Sequence, residues 1–141
     1  MSDAVRPGGW LLIEEDDMGS MLSVDVTDSS AAPFTAIFRS AIDTLREKRI
    51  LDYYFGRRVR GLVEELGFSD IGQEGWTCIA RGGEPLALYQ AMTGPVLVSR
   101  GIITREQNNI LQRYLQDPTF YYPFYTLFCA WGRKPVDERK D

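Results

Sequence analysis

Three stretches of the chain have the apolar composition of β-strands: 10–13, 69–80 and 120–131. The first and the last are almost continuously apolar, without the alternation of a strand that has one solvent face, so we expect both to be buried on two faces. The first follows a Pro-Gly-Gly turn and ends on the four acids 14–17. Because ligands bind at the carboxyl ends of strands in open α/β sheets, these acids mark a candidate site.

Four other stretches carry apolar residues three or four positions apart, which predicts amphipathic helices. They are 34–45, 57–66, 85–92 and 105–116. Pro33 suits the first turn of the first helix, and Gly67 suits the end of the second, where a left-handed backbone is easiest for glycine. Thr104 and Gln107 form a capping-box pattern before the fourth helix.

The remaining stretches are less regular. Gly94 and Pro95 are expected to end the third helix, because proline breaks helical hydrogen bonding, and 96–103 fits neither pattern. The polar stretch 18–33 predicts a loop with at most one short turn.

The predicted order is strand, helix, helix, strand, helix, helix, strand, which indicates an α/β or α+β layered fold. The 141 residues are enough for one domain with a hydrophobic core. We expect a single domain over 1–135 and a charged tail over 136–141.

Charge and composition argue against non-specific binding to nucleic acids or anionic lipids. The chain has a formal charge of −4 and a pI near 4.9, whereas nucleic acids and anionic lipids require a basic surface. No apolar run approaches the roughly 18 residues of a membrane span, and the start lacks a signal-peptide pattern. We therefore expect a cytoplasmic protein whose partners are small molecules or proteins, with no nucleic acid and no membrane.

The chain has no histidine and two cysteines. This excludes zinc sites of the usual Cys/His kind, Ser-His-Asp and Cys-His nucleophile pairs, and a histidine general base. Cys78 and Cys129 lie inside apolar runs, so we expect buried, reduced thiols rather than redox or nucleophilic groups. No metal site and no catalytic residue is predicted.

Three segments carry a resemblance to a known family. They read RPGGWLLIEE at 6–15, LVEELGFSDI at 62–71 and FCAWGRKP at 128–135. In this order they resemble the fifth, sixth and seventh strand regions of class I S-adenosylmethionine-dependent methyltransferases, and the resemblance covers essentially the whole chain. It implies a partial, Rossmann-like α/β fold with a mixed three-stranded sheet whose last strand is antiparallel and central. The helices within 84–117 would be the family's lid-like insertion.

The resemblance also implies which half of that fold is present. The family holds its cofactor with a glycine-rich loop after the first strand and an acidic residue closing the second, and no segment here matches either. Gly8-Gly9 and Gly82-Gly83 are too short and wrongly placed to substitute. We therefore expect a carboxy-terminal methyltransferase fragment that is inactive alone and binds no S-adenosylmethionine by itself.

Candidate substrate-binding acids follow from the same resemblance, because the end of the family's fifth strand faces the methyl acceptor. Glu14, Glu15, Asp16 and Asp17 would align a substrate amine or hydroxyl, or accept its proton. The alternative is that these acids form a solvated loop.

Aromatic residues after the first helix are further candidates. Tyr53 and Tyr54 would form the wall of an apolar acceptor pocket, and the alternative is that they pack against the first helix. Arg57, Arg58 and Arg60 are expected to form an exposed helix face.

Two functions remain open. The chain is either the half of a split or longer small-molecule methyltransferase that another polypeptide completes, or a non-catalytic dimerisation or ligand-binding module. If it folds alone, its first strand exposes unpaired backbone groups that invite pairing with another chain. We therefore expect a homodimer through that edge, or pairing with a complementary amino-terminal half.

Overall fold

The computed structural model describes residues 2–21 and 29–136, and within them it shows a mixed α/β arrangement of four helices and a three-stranded antiparallel sheet. The strands are β1 (Trp10–Asp17), β2 (Ser69–Arg81) and β3 (Tyr121–Arg133). The helices are α1 (Ala32–Glu47), α2 (Val59–Glu65), α3 (Pro85–Ser99) and α4 (Arg105–Gln116). The predicted order of strands and helices is confirmed.

The sheet has the strand order β1-β3-β2, so β3 is central and pairs with both other strands. β1 runs antiparallel to β3 from the pair Trp10↔Arg133 to the pair Asp17↔Thr126. β2 is also antiparallel to β3. The prediction of a central, antiparallel last strand is confirmed. The prediction of a mixed sheet is wrong, because both pairs of neighbouring strands are antiparallel.

β1 is an edge strand with one covered face. Leu11 is 6% exposed and packs with Val59 and Val63 of α2, whereas Trp10 is 58% exposed and Leu12 is 61% exposed. Successive side chains of a strand point to opposite faces, so the exposed pair lies opposite α2. The prediction that β1 is buried on both faces is therefore wrong, because an apolar run does not reveal whether a second layer covers it.

β3 has the burial that its sequence predicts. Its side chains are buried or partly buried all along the strand between its two exposed terminal residues, Tyr121 and Arg133. The central position in the sheet accounts for this burial.

The chain divides into two compact units, each with its own hydrophobic core. Unit 1 contains the described residues of Met1–Asp17, Tyr54–Trp76 and Thr126–Asp141. Unit 2 contains those of Met18–Tyr53 and Thr77–Tyr125. β2 and β3 contribute residues to both units, and the single domain expected over 1–135 stays a prediction.

The core of unit 2 centres on Phe34, whose side chain is fully buried. The centroid of its ring lies 4.7 Å from that of Phe38, 4.8 Å from Phe120, 5.0 Å from Tyr122 and 5.6 Å from Tyr114. Tilted and edge-on contacts of this kind stabilise a core beyond the burial of apolar area. One ring thus holds α1, α4 and the start of β3 together.

Helix α3 continues through Gly94 and Pro95 instead of ending before them. Pro95 has no N–H to donate to the carbonyl oxygen of Ala91, one turn earlier. The side chain of Gln112, in α4, donates its Nε2–H to that oxygen at 2.8 Å. The prediction that the third helix ends at Gly94-Pro95 is therefore wrong, because a neighbouring helix supplies the missing hydrogen bond.

The other helix ends follow their local signals. The N–H of Gln107 donates to Oγ1 of Thr104 at 3.1 Å, and the N–H of Thr104 donates to Oε1 of Gln107 at 2.7 Å, which is the predicted capping box. Pro33 lies in the first turn of α1, and Gly67 follows α2 with a φ of +77°. The ambiguous stretch 96–103 completes α3 and then turns.

The predicted loop 18–33 contains two short 3-10 turns, Met18–Ser20 and Ser29–Ala31, rather than at most one. Its residues 22–28 lie outside the described residues, and so do residues 137–141 of the predicted tail. Among the helices that the structure describes, none combines the length and the apolar character needed to cross a membrane.

The side-chain hydrogen bond of Gln112 should matter only while residue 95 is proline. Gln112→Ala should lower the free energy of unfolding by about 1 kcal/mol, because it removes the donor to the Ala91 carbonyl. In a Pro95→Ala background the backbone N–H replaces that donor, so the same substitution should cost roughly half as much or less. Chemical denaturation of the single and double variants measures this coupling.

Asn109→Ala is the matched control, because it removes an exposed amide side chain from the same helix. It should change the free energy of unfolding by no more than about 0.5 kcal/mol. An equal loss from Gln112→Ala in both backgrounds would contradict the role assigned to the side chain.

Candidate functional site

The four acids at the end of β1 differ in burial. Glu14, Glu15 and Asp16 are exposed, whereas Asp17 is 1% exposed. Because side chains alternate along the strand, Asp17 shares the face on which Leu11 packs against α2. Three of the four predicted acids therefore reach solvent, and the fourth is part of the protein interior.

Asp17 forms a two-point ion pair with Arg57. Nε of Arg57 donates to Oδ2 of Asp17 at 2.5 Å, and Nη2 donates to Oδ1 at 2.7 Å. The hydrogen bond to Asp17 raises the pKa of the Arg57 guanidinium, so this side chain stays charged. Its Cζ also lies 5.1 Å from the ring centroid of Tyr54. Asp17, Arg57 and Tyr54 thus form one cluster in unit 1.

A short turn, Gly56–Arg58, places Arg57 beside the end of β1. A Cβ on Gly56 would lie 2.7 Å from the carbonyl oxygen of Glu15 and 2.9 Å from that of Asp16, which is closer than side chains come to backbone atoms. The absence of a side chain at Gly56 therefore allows the turn to approach the strand.

Arg57 is a cluster residue that the sequence did not reveal. All three arginines of the predicted exposed helix face are exposed, but Arg57 and Arg58 lie in the turn before α2. Arg60 lies in α2 and pairs with Glu64 at 3.0 Å while both side chains are half exposed. Asp17 and Arg57 are 40 residues apart, so no local spacing links them. The sequence could have indicated the partner in one way: an acid on the covered face of a strand is stabilised by a cation, so a basic residue from elsewhere in the chain was to be expected beside it.

The exposed carboxylates at this strand end can accept hydrogen bonds from an amine or a hydroxyl group. Desolvation raises the pKa of Asp16, so its carboxyl group holds a proton more tightly than a fully solvated one. Asp17 instead binds the guanidinium group of Arg57 at the same end of β1. Since the Arg57 side chain is 51% exposed, that cation borders solvent.

Tyr53 belongs to unit 2, whereas Tyr54 and the four acids belong to unit 1. Tyr53 lines an apolar cavity of about 140 Å³. Its carbonyl oxygen accepts a hydrogen bond from the N–H of Met18, another lining residue, at 3.0 Å. The structure therefore brings Asp17 and Tyr54 together and places Tyr53 in a different unit. The substrate-binding roles of the predicted acids and tyrosines stay predictions.

The two glycine pairs do not fit a cofactor. The N–H groups of Gly8 and Gly9 donate to carbonyl oxygens within unit 1, at 2.8 and 2.9 Å. Those of Gly82 and Gly83 donate to carbonyl oxygens within unit 2, both at 2.9 Å. A glycine-rich loop binds a cofactor through backbone N–H groups that point at the ligand, and these four point at the protein itself. Neither turn therefore fits S-adenosylmethionine.

Cys129 offers no reactive thiolate in this arrangement. Burial raises the pKa of the Cys129 thiol, and Glu14 and Glu74 raise it further, which keeps the group protonated. Cys78 is partly buried and packs against the core of unit 2. In the part of the chain that the structure describes, no three His, Cys, Asp or Glu side chains are placed to hold a metal ion.

Comparison with known proteins assigns no family. No protein-family model matches the chain, and no curated protein matches it. Function is therefore inferred from the fold, the cluster at the end of β1 and the cavity.

The close approach of Gly56 to β1 predicts opposite effects of two alanine substitutions. Gly56→Ala should lower the free energy of unfolding by about 2 kcal/mol, because the added methyl group meets backbone atoms that cannot move aside freely. Gly61→Ala is the control, since nothing lies within 4 Å of a Cβ at that position of α2.

The control should raise stability by up to about 1 kcal/mol, because alanine favours a helix more than glycine does. Thermal denaturation of the two variants shows whether each substitution lowers or raises stability. A Gly56→Ala protein as stable as the wild type would show that the turn does not need the close approach.

Proposed function

We propose that this chain forms the acceptor-binding half of a class I S-adenosylmethionine-dependent methyltransferase that acts on a small molecule. The strand order carries the proposal. The resembling segments at 6–15 and 128–135 include most of β1 and the end of β3, and 62–71 leads from α2 into β2. The order β1-β3-β2, with β3 antiparallel to its neighbours, supports the assignment of these strands to the family's fifth, seventh and sixth.

In this proposal the carboxyl end of β1 binds the methyl acceptor. The exposed carboxylates of Glu14, Glu15 and Asp16 receive hydrogen bonds from its amine or hydroxyl group. Asp17 contributes through Arg57, because their ion pair holds the cation in one orientation beside these acids. Positioning of this kind is the main contribution a protein makes to a displacement reaction.

The cofactor is assigned to another polypeptide. The described glycine turns do not fit S-adenosylmethionine, so we expect no methyl transfer by this chain alone. In the described sheet β1 has a strand partner on one side, and no described strand pairs with its other side, which is therefore an edge. A strand of a complementary amino-terminal half would pair there by strand addition.

Calorimetry with S-adenosylhomocysteine tests this assignment. The isolated chain should show no binding at submillimolar ligand, and binding should appear once a co-purifying polypeptide that carries a glycine-rich loop is present. Adenosine is the control ligand, because it shows how much heat comes from non-specific binding of the nucleoside part alone. Micromolar binding of S-adenosylhomocysteine by the isolated chain would contradict the absence of a cofactor site.

The same edge leads us to expect a homodimer when the complementary half is absent. Trp10 and Leu12 are exposed along β1, so pairing two copies of this strand would also cover apolar side chains. Leu12→Lys should weaken self-association at least about tenfold, because lysine on an edge strand disfavours edge-to-edge pairing. Sedimentation velocity over a range of concentrations measures the dissociation constant.

Leu66→Lys is the control, since Leu66 is 51% exposed and lies outside the strands. It should leave self-association unchanged. A wild-type chain that stays monomeric at high micromolar concentration would contradict the dimer.

A non-catalytic ligand-binding module is the second candidate function, and the cavity in unit 2 favours it. This module would bind a small molecule without any methyl donor. Under either function, location in the cytoplasm stays a prediction.

A further inference from the structure

The cavity in unit 2 has the size of a small ring. Its volume is about 140 Å³, and an apolar cavity of about 150 Å³ in a protein core is known to admit benzene. α1 and α3 provide most of its lining. The lining includes Ala41 of α1 and Gln90 and Thr93 of α3.

The side chains that line the cavity determine whether a charged ligand could bind there. None of the eleven described side chains that line it belongs to Asp, Glu, Lys or Arg, so the described lining offers no counter-charge. Transferring an ion from water into such surroundings is strongly unfavourable unless it is paired. We therefore expect the occupant to be uncharged.

One buried polar side chain distinguishes the cavity from an ordinary packing gap. Gln90 is 7% exposed, and its Oε1 accepts a hydrogen bond from the hydroxyl group of Tyr122 at 2.7 Å. Its Nε2 carries two N–H donors, and the acceptor that the described residues give it is Sδ of Met21 at 3.7 Å. A thioether is a weak acceptor, so an oxygen of a ligand would satisfy this amide better.

We propose that this cavity binds an uncharged compound of about the size of one aromatic ring that carries a hydrogen-bond acceptor, with Nε2 of Gln90 as the donor. All of the lining residues belong to this chain. Binding therefore requires neither S-adenosylmethionine nor a complementary half, and the inference stands or falls separately from the proposed methyltransferase function.

Ring-sized probes test the size and charge of the site. Phenol should bind the full chain with a submillimolar dissociation constant, measured by calorimetry or by ligand-detected NMR. Benzoate has the same ring and a negative charge, and it should bind at least about tenfold more weakly. Benzoate binding as tight as that of phenol would overturn the proposal.

Matched substitutions in one helix locate the site. Ala41 is buried and lines the cavity, whereas Ala36 lies on the exposed face of the same helix. Ala41→Leu should fill the space and weaken phenol binding at least about tenfold, and Ala36→Leu should leave it unchanged. Thr93→Leu, at a more exposed position of the lining, gives a second filling variant if Ala41→Leu does not fold. Unchanged phenol binding by a folded filling variant would overturn the proposal.

A second pair of variants tests the donor. Gln90→Met keeps the side-chain length and removes both N–H groups, and it is made in a Tyr122→Phe background so that no buried hydroxyl loses its acceptor. Relative to Tyr122→Phe alone, it should weaken phenol binding at least about fivefold and leave toluene binding unchanged. An equal change for phenol and toluene would show that Gln90 does not donate to the ligand and would overturn its assignment.

Discussion

The pairing of β3 with both other strands is the interaction on which the structure depends. All of β1, from Trp10 to Asp17, takes its register from β3. On its other side β3 pairs with β2. There the ring of Trp131 occupies the space that a Cβ on Gly72 would fill, and the ring of Phe128 lies 3.3 Å from where a Cβ on Gly75 would be. Glycine is usually unfavourable in a strand, but here it makes room for aromatic rings of the neighbouring strand. The bulk of β3 thus determines which residues β2 can have.

The electrostatics at the end of β1 follow from that register. Asp17 lies on the covered face, where a well-placed cation helps to offset the cost of desolvating a carboxylate. Arg57 meets this need with two hydrogen bonds. The exposed pair of Arg60 and Glu64 has no such requirement, and pairs of that kind contribute little to stability. The acidic run that looks uniform in sequence therefore contains one structural carboxylate and three that remain available to a ligand.

Features encoded by neighbouring residues could be predicted from the sequence, and features that depend on distant residues could not. The capping box of Thr104 and Gln107 defined the start of α4 because both residues lie in the same turn. The continuation of α3 past Pro95 depends on Gln112 in another helix, so no propensity within α3 could indicate it. The partner of Asp17 and the solvent-exposed face of β1 were missed for the same reason.

The sequence drew attention to the run of acids because acids directly after an apolar run suggest a ligand site. The structure places all four acids within β1 itself, where they pair with β3. The cavity beside Tyr53 arises where residues from both α1 and α3 leave space between them. Periodicity shows which side chains face a core, but it does not show where the core is incompletely filled.

The sheet ends in two edges with different sequences, and this difference bears on how copies of the chain assemble. Trp10 and Leu12 are exposed on β1, and Trp76 and Ile79 are exposed on β2. Contact between two β1 edges has two-fold symmetry, so it uses up that edge in both copies. Contact between the β1 edge of one copy and the β2 edge of the next leaves a free edge of each kind at the ends, and further copies can add without closure. If copies of the chain associate through these edges, the first kind of contact gives closed dimers and the second gives open-ended assemblies.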